Sequence, residues 1–307
     1  MPAKCDRCEN PSFYRRSYSG ESLCTSCFQE SIEEKVKRTA SRYEMFRHGH
    51  SIGVAVSGGK DSLSLLRILA RITRGHGGEL VAITVDEGIA GYREESLEFA
   101  SEMARQLGVS HYVISYKELY GTTLDDALKL RRDKLSSCAI CGTFRRRAID
   151  VAAVRAGVDV LATAHNLDDI VQTFLINLLN GDLKRIGWLN PSAVKGGAFG
   201  VRRVHPFMEV YEKEIALYAF AAGLNFQSVP CPYMDEGIRA SVRSYLNRLE
   251  DEHPGVKYTL LKSALELSAM AASRRPDIVK CSKCGFPSTS DPCSVCAVLE
   301  VVGRTTL

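Results

Sequence analysis

Ten of the chain's eleven cysteines stand in five Cys-x-x-Cys pairs, at positions 5/8, 24/27, 138/141, 281/284 and 293/296, and only Cys231 lacks a near neighbour. No other feature restricts the fold as much. Each pair presents two thiolates from one tight turn, and two pairs can close a tetrahedron around one metal ion. Cys5, Cys8, Cys24 and Cys27 have zinc-ribbon spacing. Cys281, Cys284, Cys293 and Cys296 repeat it with a shorter spacer, where Gly285, Pro287, Asp291 and Pro292 supply turn chemistry. Four ligands fill the coordination sphere, so both sets read as structural Zn²⁺ sites with no catalytic opening. Cys138, Cys141 and Cys231 remain, one thiolate short of a third set. They read as an open site: a three-cysteine iron–sulfur cluster with one iron free, or two redox-active sulfurs. The bland alternative is a buried pair and an unrelated third cysteine. Arg145, Arg146 and Arg147 follow closely, and positive charge there is expected to favour thiolate.

Between the cysteine sets the pattern is α/β. Ile52 to Val56 is a short apolar run that predicts a buried strand, and Val81–Val85, Tyr112–Ser115 and Val158–Ala164 predict three more. A helix is expected from Ser62, with Leu65, Leu66, Leu69 and Ile72 on one face, and another through Leu97, Ala100, Met103, Ala104 and Leu107. The stretch from Ile238 to Ala272 reads as helical, with Arg239, Arg243 and Arg248 near one face as a phosphate stripe or a solvated surface. Alternating strands and helices imply a doubly wound, mainly parallel sheet, whose ligands bind at the carboxyl ends of strands.

One such end carries Ser57-Gly58-Gly59-Lys60-Asp61-Ser62. The glycines let backbone N–H groups turn inward, the helix start adds its positive end, and Lys60 adds a charge: an anion cradle. It is not a Walker A loop, which needs Gly at Val54 and a hydroxyl residue at Asp61. The net charge of +4 does not itself mark a nucleic-acid binder; the runs Arg131-Arg132, Arg145–Arg147, Lys184-Arg185 and Arg202-Arg203 are more suggestive, with solvated surface as the alternative. No apolar leader and no run near the ~20 residues that span a bilayer is visible, so a soluble cytoplasmic protein with no membrane contact is expected.

Ser-Gly-Gly-Lys-Asp-Ser resembles the signature of the PP-loop ATP pyrophosphatases. The order of a four-cysteine ribbon, this loop, Cys138-Ala139-Ile140-Cys141-Gly142, His165-Asn166-Leu167-Asp168-Asp169, Cys231 and a second ribbon resembles the TtuA-type tRNA 2-thiouridine synthases along nearly the whole chain. The resemblance implies a HUP-like catalytic domain over residues 51–236. Around it lie a zinc finger (1–30), a linker helix (31–50), C-terminal helices (237–277) and a second zinc finger (278–307).

It implies that the enzyme adenylates a uridine C2 oxygen with ATP, releases pyrophosphate and transfers sulfur. Ser57, Gly58, Gly59, Lys60, Asp61 and Ser62 would hold the phosphates, and backbone at Ala55, Val85 and Ala164 would line the nucleoside. Asp61 and Asp169 would act through Mg²⁺. Cys138, Cys141 and Cys231 would hold a [4Fe–4S] cluster whose free iron carries sulfide, or two of them would work through a persulfide. Partners would be tRNA, a sulfur donor (a ubiquitin-like thiocarboxylate protein or sulfide) and a second copy in a homodimer.

Arg145 stands where T-loop-modifying members can carry Lys, and the strings around Cys141 and Cys231 lean toward the wobble uridine. Arg145 would hold phosphate or RNA, since a guanidinium does not act as a base. Alternatives are a lysidine-type tRNA ligase, which needs no cysteine trio, and a non-catalytic zinc-ribbon RNA-binding subunit, which needs no intact loop. His165 reads equally as a strand-end residue, Asp168 as a helix cap, and Trp188, among Gly187, Gly196 and Gly197, as a packed aromatic.

Overall fold

The computed structural model describes residues 3–132, 135–189, 201–234, 237–274 and 276–303. Gly196 and Gly197 lie outside the described residues. The chain opens with a small hairpin, β1 (Tyr14–Arg15) against β2 (Ser22–Leu23), and a long helix α1 (Thr25–Arg42). The α/β unit follows: β3 (Ile52–Ala55), α2 (Lys60–Ile72), β4 (Leu80–Asp86), α3 (Arg93–Leu107), β5 (Ser110–Ser115), α4 (Tyr116–Tyr120), α5 (Leu124–Leu130), α6 (Ser137–Arg155), β6 (Val160–Ala162), α7 (Leu167–Leu179), α8 (Leu183–Ile186), β7 (Arg202–Val204) and α9 (Glu212–Ala221). Helices α10 (Ile238–Glu252) and α11 (Val256–Met270) lead to a second small hairpin, β8 (Val279–Lys280) with β9 (Pro287–Ser288), and α12 (Ser294–Val301).

The central sheet is parallel throughout, in the order β5-β4-β3-β6-β7. Ile52 of β3 lies opposite Leu80 on one side and Val160 on the other. The chain works outward from β3 through β4 to β5, then crosses back to β6 and β7. The order therefore reverses at β3, and the loops leaving β3 and β6 diverge to open a crevice at their carboxyl ends.

Strand residues alternate between two cores, as a pleated strand requires. Ile52, Val54, Ala82 and Ala162 join one core, which also takes Phe28 and Ile32 of α1 and Leu65, Leu66 and Leu69 of α2. Val81, Ile83, Val85 and Leu161 join the other, with Ile140, Phe144 and Ala148 of α6. Each four-cysteine set is built into one of them: Cys5, Cys24 and Cys27 into the first, Cys281, Cys293 and Cys296 into the second.

Three expectations are corrected. The helical stretch expected over Ile238 to Ala272 is two helices, because Pro254 and a left-handed Gly255 (φ 98°) break it. The fourth strand is only Val160–Ala162, since Val158 is tied back to the end of α6 through Ala153 O. The cap of α7 is Asn166, in a reciprocal capping box with Asp169; Asp168 is buried and does other work.

Candidate active site

The loop after β3 is held from beneath. Ser57 N–H donates to Ser62 Oγ (3.0 Å), and Ser62 Oγ donates to Gly59 O (3.0 Å). Gly58 has φ +86°, and a Cβ there would sit 2.2 Å from Ser96 O, so only glycine fits. Gly59 is the N-cap of α2 and brings no side chain to the first N–H groups, which stay available to an anion. Arg93, buried at the start of α3, donates to Ser57 O (2.7 Å), Val85 O and Ser96 Oγ (2.9 Å) and pairs with buried Glu87 (2.8 Å). One guanidinium thus ties the loops after β3 and β4 together. Neither Arg93 nor Glu87 carries a motif that sequence reasoning could use.

Lys60 Nζ lies 3.0 Å from Asp61 and 3.1 Å from Glu212. Although burial pulls its pKa down, the two carboxylates raise it on balance, so Lys60 is a fixed cation. Asp61 is pushed up to about 6, first by burial, with Glu212 and Asp169 adding repulsion and Lys60 opposing. Its Oδ1 is buried and faces Lys60 Nζ as an ion pair, without a well-aligned hydrogen bond. Asp169 is raised too, by burial and by Glu212, while its Oδ2 accepts from Asn166 N (3.2 Å). Two neighbouring carboxylates that burial makes harder to ionise fit a divalent cation, whose charge would reverse both effects.

Lys60, Asp61 and Asp169 line a cavity of about 670 Å³. Ala55, Val85 and Ala164 form an apolar edge, and Ser57, Gly59 and Ser62 form its floor. The opposite wall is α6, through Gly142, Arg145 and Arg146, joined by Arg203 of β7. The structure therefore brings the expected phosphate, nucleoside and Arg145 positions into one space; Gly58 supports it from behind. His165 also faces the cavity. Thr163 Oγ1 is 2.7 Å from Nδ1 of both His165 and His205, and its one hydroxyl proton serves only one of them, so at least one ring carries its proton on Nδ1 and donates to Oγ1. Burial pushes His165 down to about 4, helped by Arg203, Arg145 and Arg239, so it stays neutral at pH 7.

Asp168 lies behind this wall: it accepts from Glu212 N (2.7 Å) and pairs with buried Lys257 of α11. Arg239 bonds to Gln172 Oε1 and Thr173 Oγ1 of α7, each at 3.3 Å, so it serves α10–α7 packing rather than a free stripe. Trp188 is half-buried just beyond α8.

Cys138 and Cys141 occupy the first turn of α6, and Cys231 comes to them from the segment after α9. Cys138 Sγ is 3.9 Å from Tyr233 O, two residues beyond Cys231, and Cys141 and Cys231 pack in the same cluster. The three sulfurs do not all lie within 4.8 Å of one another, as those of each four-cysteine set do. Three thiolates are a donor set that iron–sulfur groups use. The expected lowering of thiol pKa is not what the geometry gives at Cys141: burial pushes it up, and Arg145 and the Tyr116 hydroxyl offset this only in part. The two complete sets fit zinc closely. Their Sγ–Sγ contacts are 3.5 Å for Cys8–Cys24 and Cys8–Cys27, 3.8 Å for Cys281–Cys296 and 3.7 Å for Cys284–Cys293. A tetrahedron with ~2.3 Å Zn–S bonds has edges of ~3.8 Å.

Comparison with known proteins follows the same lines. A family model described as a PP-loop domain matches residues 28–250. The cytoplasmic tRNA 2-thiolation protein 1 of Drosophila sechellia is 36% identical over 307 residues, covering 99% of this chain and 89% of its own. That of Drosophila melanogaster is 36% identical over 300 residues, covering 97% and 87%. Among solved structures, the U34-tRNA thiolase NcsA from Methanococcus maripaludis with its [4Fe–4S] cluster superposes with TM-score 0.85 at 30% identity, covering 98% of this chain and 96% of that one. No helix among the described residues is long and apolar enough to cross a membrane. With the loop, the parallel sheet and both cysteine ribbons in place, the chain belongs to the PP-loop family, in the branch of the cytoplasmic tRNA 2-thiolation proteins.

Proposed function

We propose that this protein is an ATP-dependent tRNA sulfurtransferase that adenylates a uridine at its C2 oxygen and replaces that oxygen with sulfur. The observation that carries the proposal is the shared cavity: the phosphate cradle lies on one side, and the helix turn that follows Cys138 and Cys141 forms the other. The backbone N–H groups at Gly59 and the start of α2, with Ser57, Ser62 and Lys60, would hold the ATP phosphates and keep the pyrophosphate as it leaves. Backbone at Ala55, Val85 and Ala164 would flank the nucleoside. Asp61 and Asp169 would hold Mg²⁺ against the phosphates.

The uridine O2 attacks the α-phosphorus and expels pyrophosphate; sulfide then adds at C2 and AMP departs with the original oxygen. A [4Fe–4S] cluster on Cys138, Cys141 and Cys231 would supply an iron without a protein ligand, at which sulfide can be held. Arg145, 3.9 Å from Glu87 and beside Cys141, would keep positive charge next to the incoming anion. Neutral His165, held in place by Thr163, can exchange hydrogen bonds at the cavity wall without adding charge.

The wobble uridine is the favoured substrate position, supported by the likeness to an enzyme named for U34. Two Zn²⁺ ions would occupy the complete cysteine sets. The modular division into ribbons (1–30 and 278–307), linker helix (31–50), PP-loop domain (51–236) and C-terminal helices (237–277) is part of the same reading. So are the sulfur donor, either a thiocarboxylated ubiquitin-like protein or free sulfide, and a homodimer.

The test is anaerobic purification with iron and zinc analysis, then incubation with ATP, Mg²⁺, sulfide and unmodified tRNA. Digested tRNA is examined by mass spectrometry for 2-thiouridine. About four irons and two zincs per chain, iron loss in Cys231→Ala, and 2-thiouridine at the wobble position are expected. A colourless zinc protein that forms no thiouridine would reject the sulfurtransferase reading.

A further inference from the structure

Arg145, Arg146 and Arg147 are adjacent in sequence, yet successive helical residues point ~100° apart, so they leave α6 in three directions. Arg145 turns toward Glu87 and Cys141. Arg147 is buried against the C-terminal cysteines, with Nη2 3.3 Å from Cys293 Sγ. Arg146 lines the active-site cavity, and its guanidinium makes no hydrogen bond or ion pair with a described residue.

Its side chain is open to solvent, and Arg203, Arg145 and Arg185 lie near it, each with a carboxylate close by: Asp150 at 2.6 Å, Glu87 (shared with Arg93) at 3.9 Å and Asp182 at 3.2 Å. Burial and then these like charges pull the Arg146 pKa down. Helix α6 also carries a glycine where Arg146 folds back: a Cβ at Gly142 would meet Arg146 Nη1 at 3.3 Å. The guanidinium thus lies close over its own helix, one turn before it leaves α6. Arg203 Nη2 donates to the Arg146 backbone O (2.8 Å) and to Asp150, which fixes the Arg203 guanidinium against α6 where Arg146 departs.

We propose that Arg146, with Arg203 beside it, forms a second anion site in the cavity, separate from the ATP loop, that grips a backbone phosphate of the RNA next to the uridine being thiolated. The inference rests on the tRNA reading and deepens it. ATP would fill the cradle at the start of α2 and the edge formed by Ala55, Val85 and Ala164. A uridine whose C2 must lie between the α-phosphate and Cys141 brings its own phosphodiester with it, on the α6 and β7 side of the cavity. A guanidinium with no protein partner meets two phosphate oxygens at once. Such a contact would fix the register of the base without reading its identity.

The test measures binding of full-length unmodified tRNA to the wild type, Arg146→Ala, Arg146→Gln and Arg146→Lys over a range of salt, without ATP. ATP affinity of each is measured by titration calorimetry without RNA. Matching zinc content and melting temperature show that each variant is folded, and Arg146→Gln serves if Arg146→Ala is not. For Arg146→Ala or Arg146→Gln the expected result is about tenfold weaker tRNA binding, a salt slope smaller by about one, and ATP affinity within about twofold of wild type. Arg146→Lys should recover the slope and part of the affinity. An unchanged tRNA affinity and slope in the neutral variants overturns the site. So does a loss of ATP affinity with unaltered RNA binding, which would assign Arg146 to the nucleotide. A wild type that binds no tRNA overturns the underlying reading instead, and is recognised before any variant is made.

Discussion

The two four-cysteine modules have nearly the same ligand geometry but are joined to the sheet by different physics. The N-terminal module is held by a buried network that leaves its sulfurs alone. Arg16 pairs with Glu214 of α9 (2.7 Å) and Glu21 (2.6 Å), and Tyr18 OH and Lys35 Nζ also reach Glu214 (2.9 and 3.3 Å). Lys35 in turn donates to Tyr258 OH of α11 at 2.8 Å. The C-terminal module is gripped by its metal ligands. Arg147 of α6 donates to Cys293 Sγ (3.3 Å) and Cys284 Sγ (3.8 Å), and its guanidinium lies over Phe286. A zinc ion with four thiolates would have a net charge of about −2, and Arg147 would be its buried counter-charge. A metal in the N-terminal set would shape a module that is attached by other means; one in the C-terminal set would be part of the attachment, to the helix that carries Cys138 and Cys141.

The largest effect should come from breaking the first attachment. Glu214→Ala removes the one carboxylate shared by buried Arg16 and Lys35, leaving Lys35 with no acidic partner and Arg16 with Glu21 alone, and should destabilise the protein by about 3 kcal/mol in denaturant unfolding. A loss under about 1 kcal/mol would show that the network is incidental. Arg147→Met keeps length and apolar bulk but removes the charge and both hydrogen bonds. It should cost about 2 kcal/mol, lose zinc from one site only, and lower the iron content of anaerobically prepared protein. Equal zinc retention in Arg147→Met would end the distinction between the modules.

Zinc release to a chromogenic chelator should be biphasic in the wild type. The N-terminal site, with Cys8 exposed, should give up its ion faster than the C-terminal site, and Arg147→Met should bring the two rates together. A single phase in the wild type would argue that both attachments protect their metal equally.

The smallest effect provides the control, because Asp61 touches neither module. Its folded pKa of about 6 lies above the ordinary value of 3.8, so the folded state holds its proton more tightly than the unfolded chain. This contribution to stability is complete below pH ~4 and is lost as pH rises through ~6. Without Mg²⁺–ATP, Asp61→Asn should therefore melt about 1–3 °C higher than wild type at pH 7.5 and show no gain at pH 4. Zinc content should not change, and ATP-dependent thiolation should disappear. A drop in melting temperature at pH 7.5 would mean that the Lys60–Asp61 pair stabilises the empty site.

The parts of the site that were legible in the sequence are local. Ser57 to Ser62 read as a phosphate loop because strand, glycine turn and helix lie within a dozen residues, and each ribbon declares its ligands by spacing. The rest is assembled over distance. Arg93 reaches Ser57 across 36 residues, Glu212 reaches Lys60 across 152, and Thr163 links His165 to His205. None of these carries a short-range pattern. Helix α6 escaped notice for another reason: its apolar stripe of Ile140, Phe144, Ala148 and Ala152 is interleaved with Gly142 and with the buried charges Arg147 and Asp150. Those are residues a helix pattern is expected to exclude, and the function proposed here needs them.

The three directions taken by Arg145, Arg146 and Arg147 have a consequence for how this stretch can vary between related chains. Substitution at one of the three leaves the other two aimed as before. Insertion or deletion of a single residue between Cys141 and Arg145 would rotate all three by ~100°. The charge beside Cys141 would leave it, the cavity guanidinium would swing away, and the counter-charge of the C-terminal module would be lost in one step. Lineages of this family should therefore change letters in the segment from Cys138 to Asp150 while almost never changing its length, and loop-length variation should gather elsewhere in the chain.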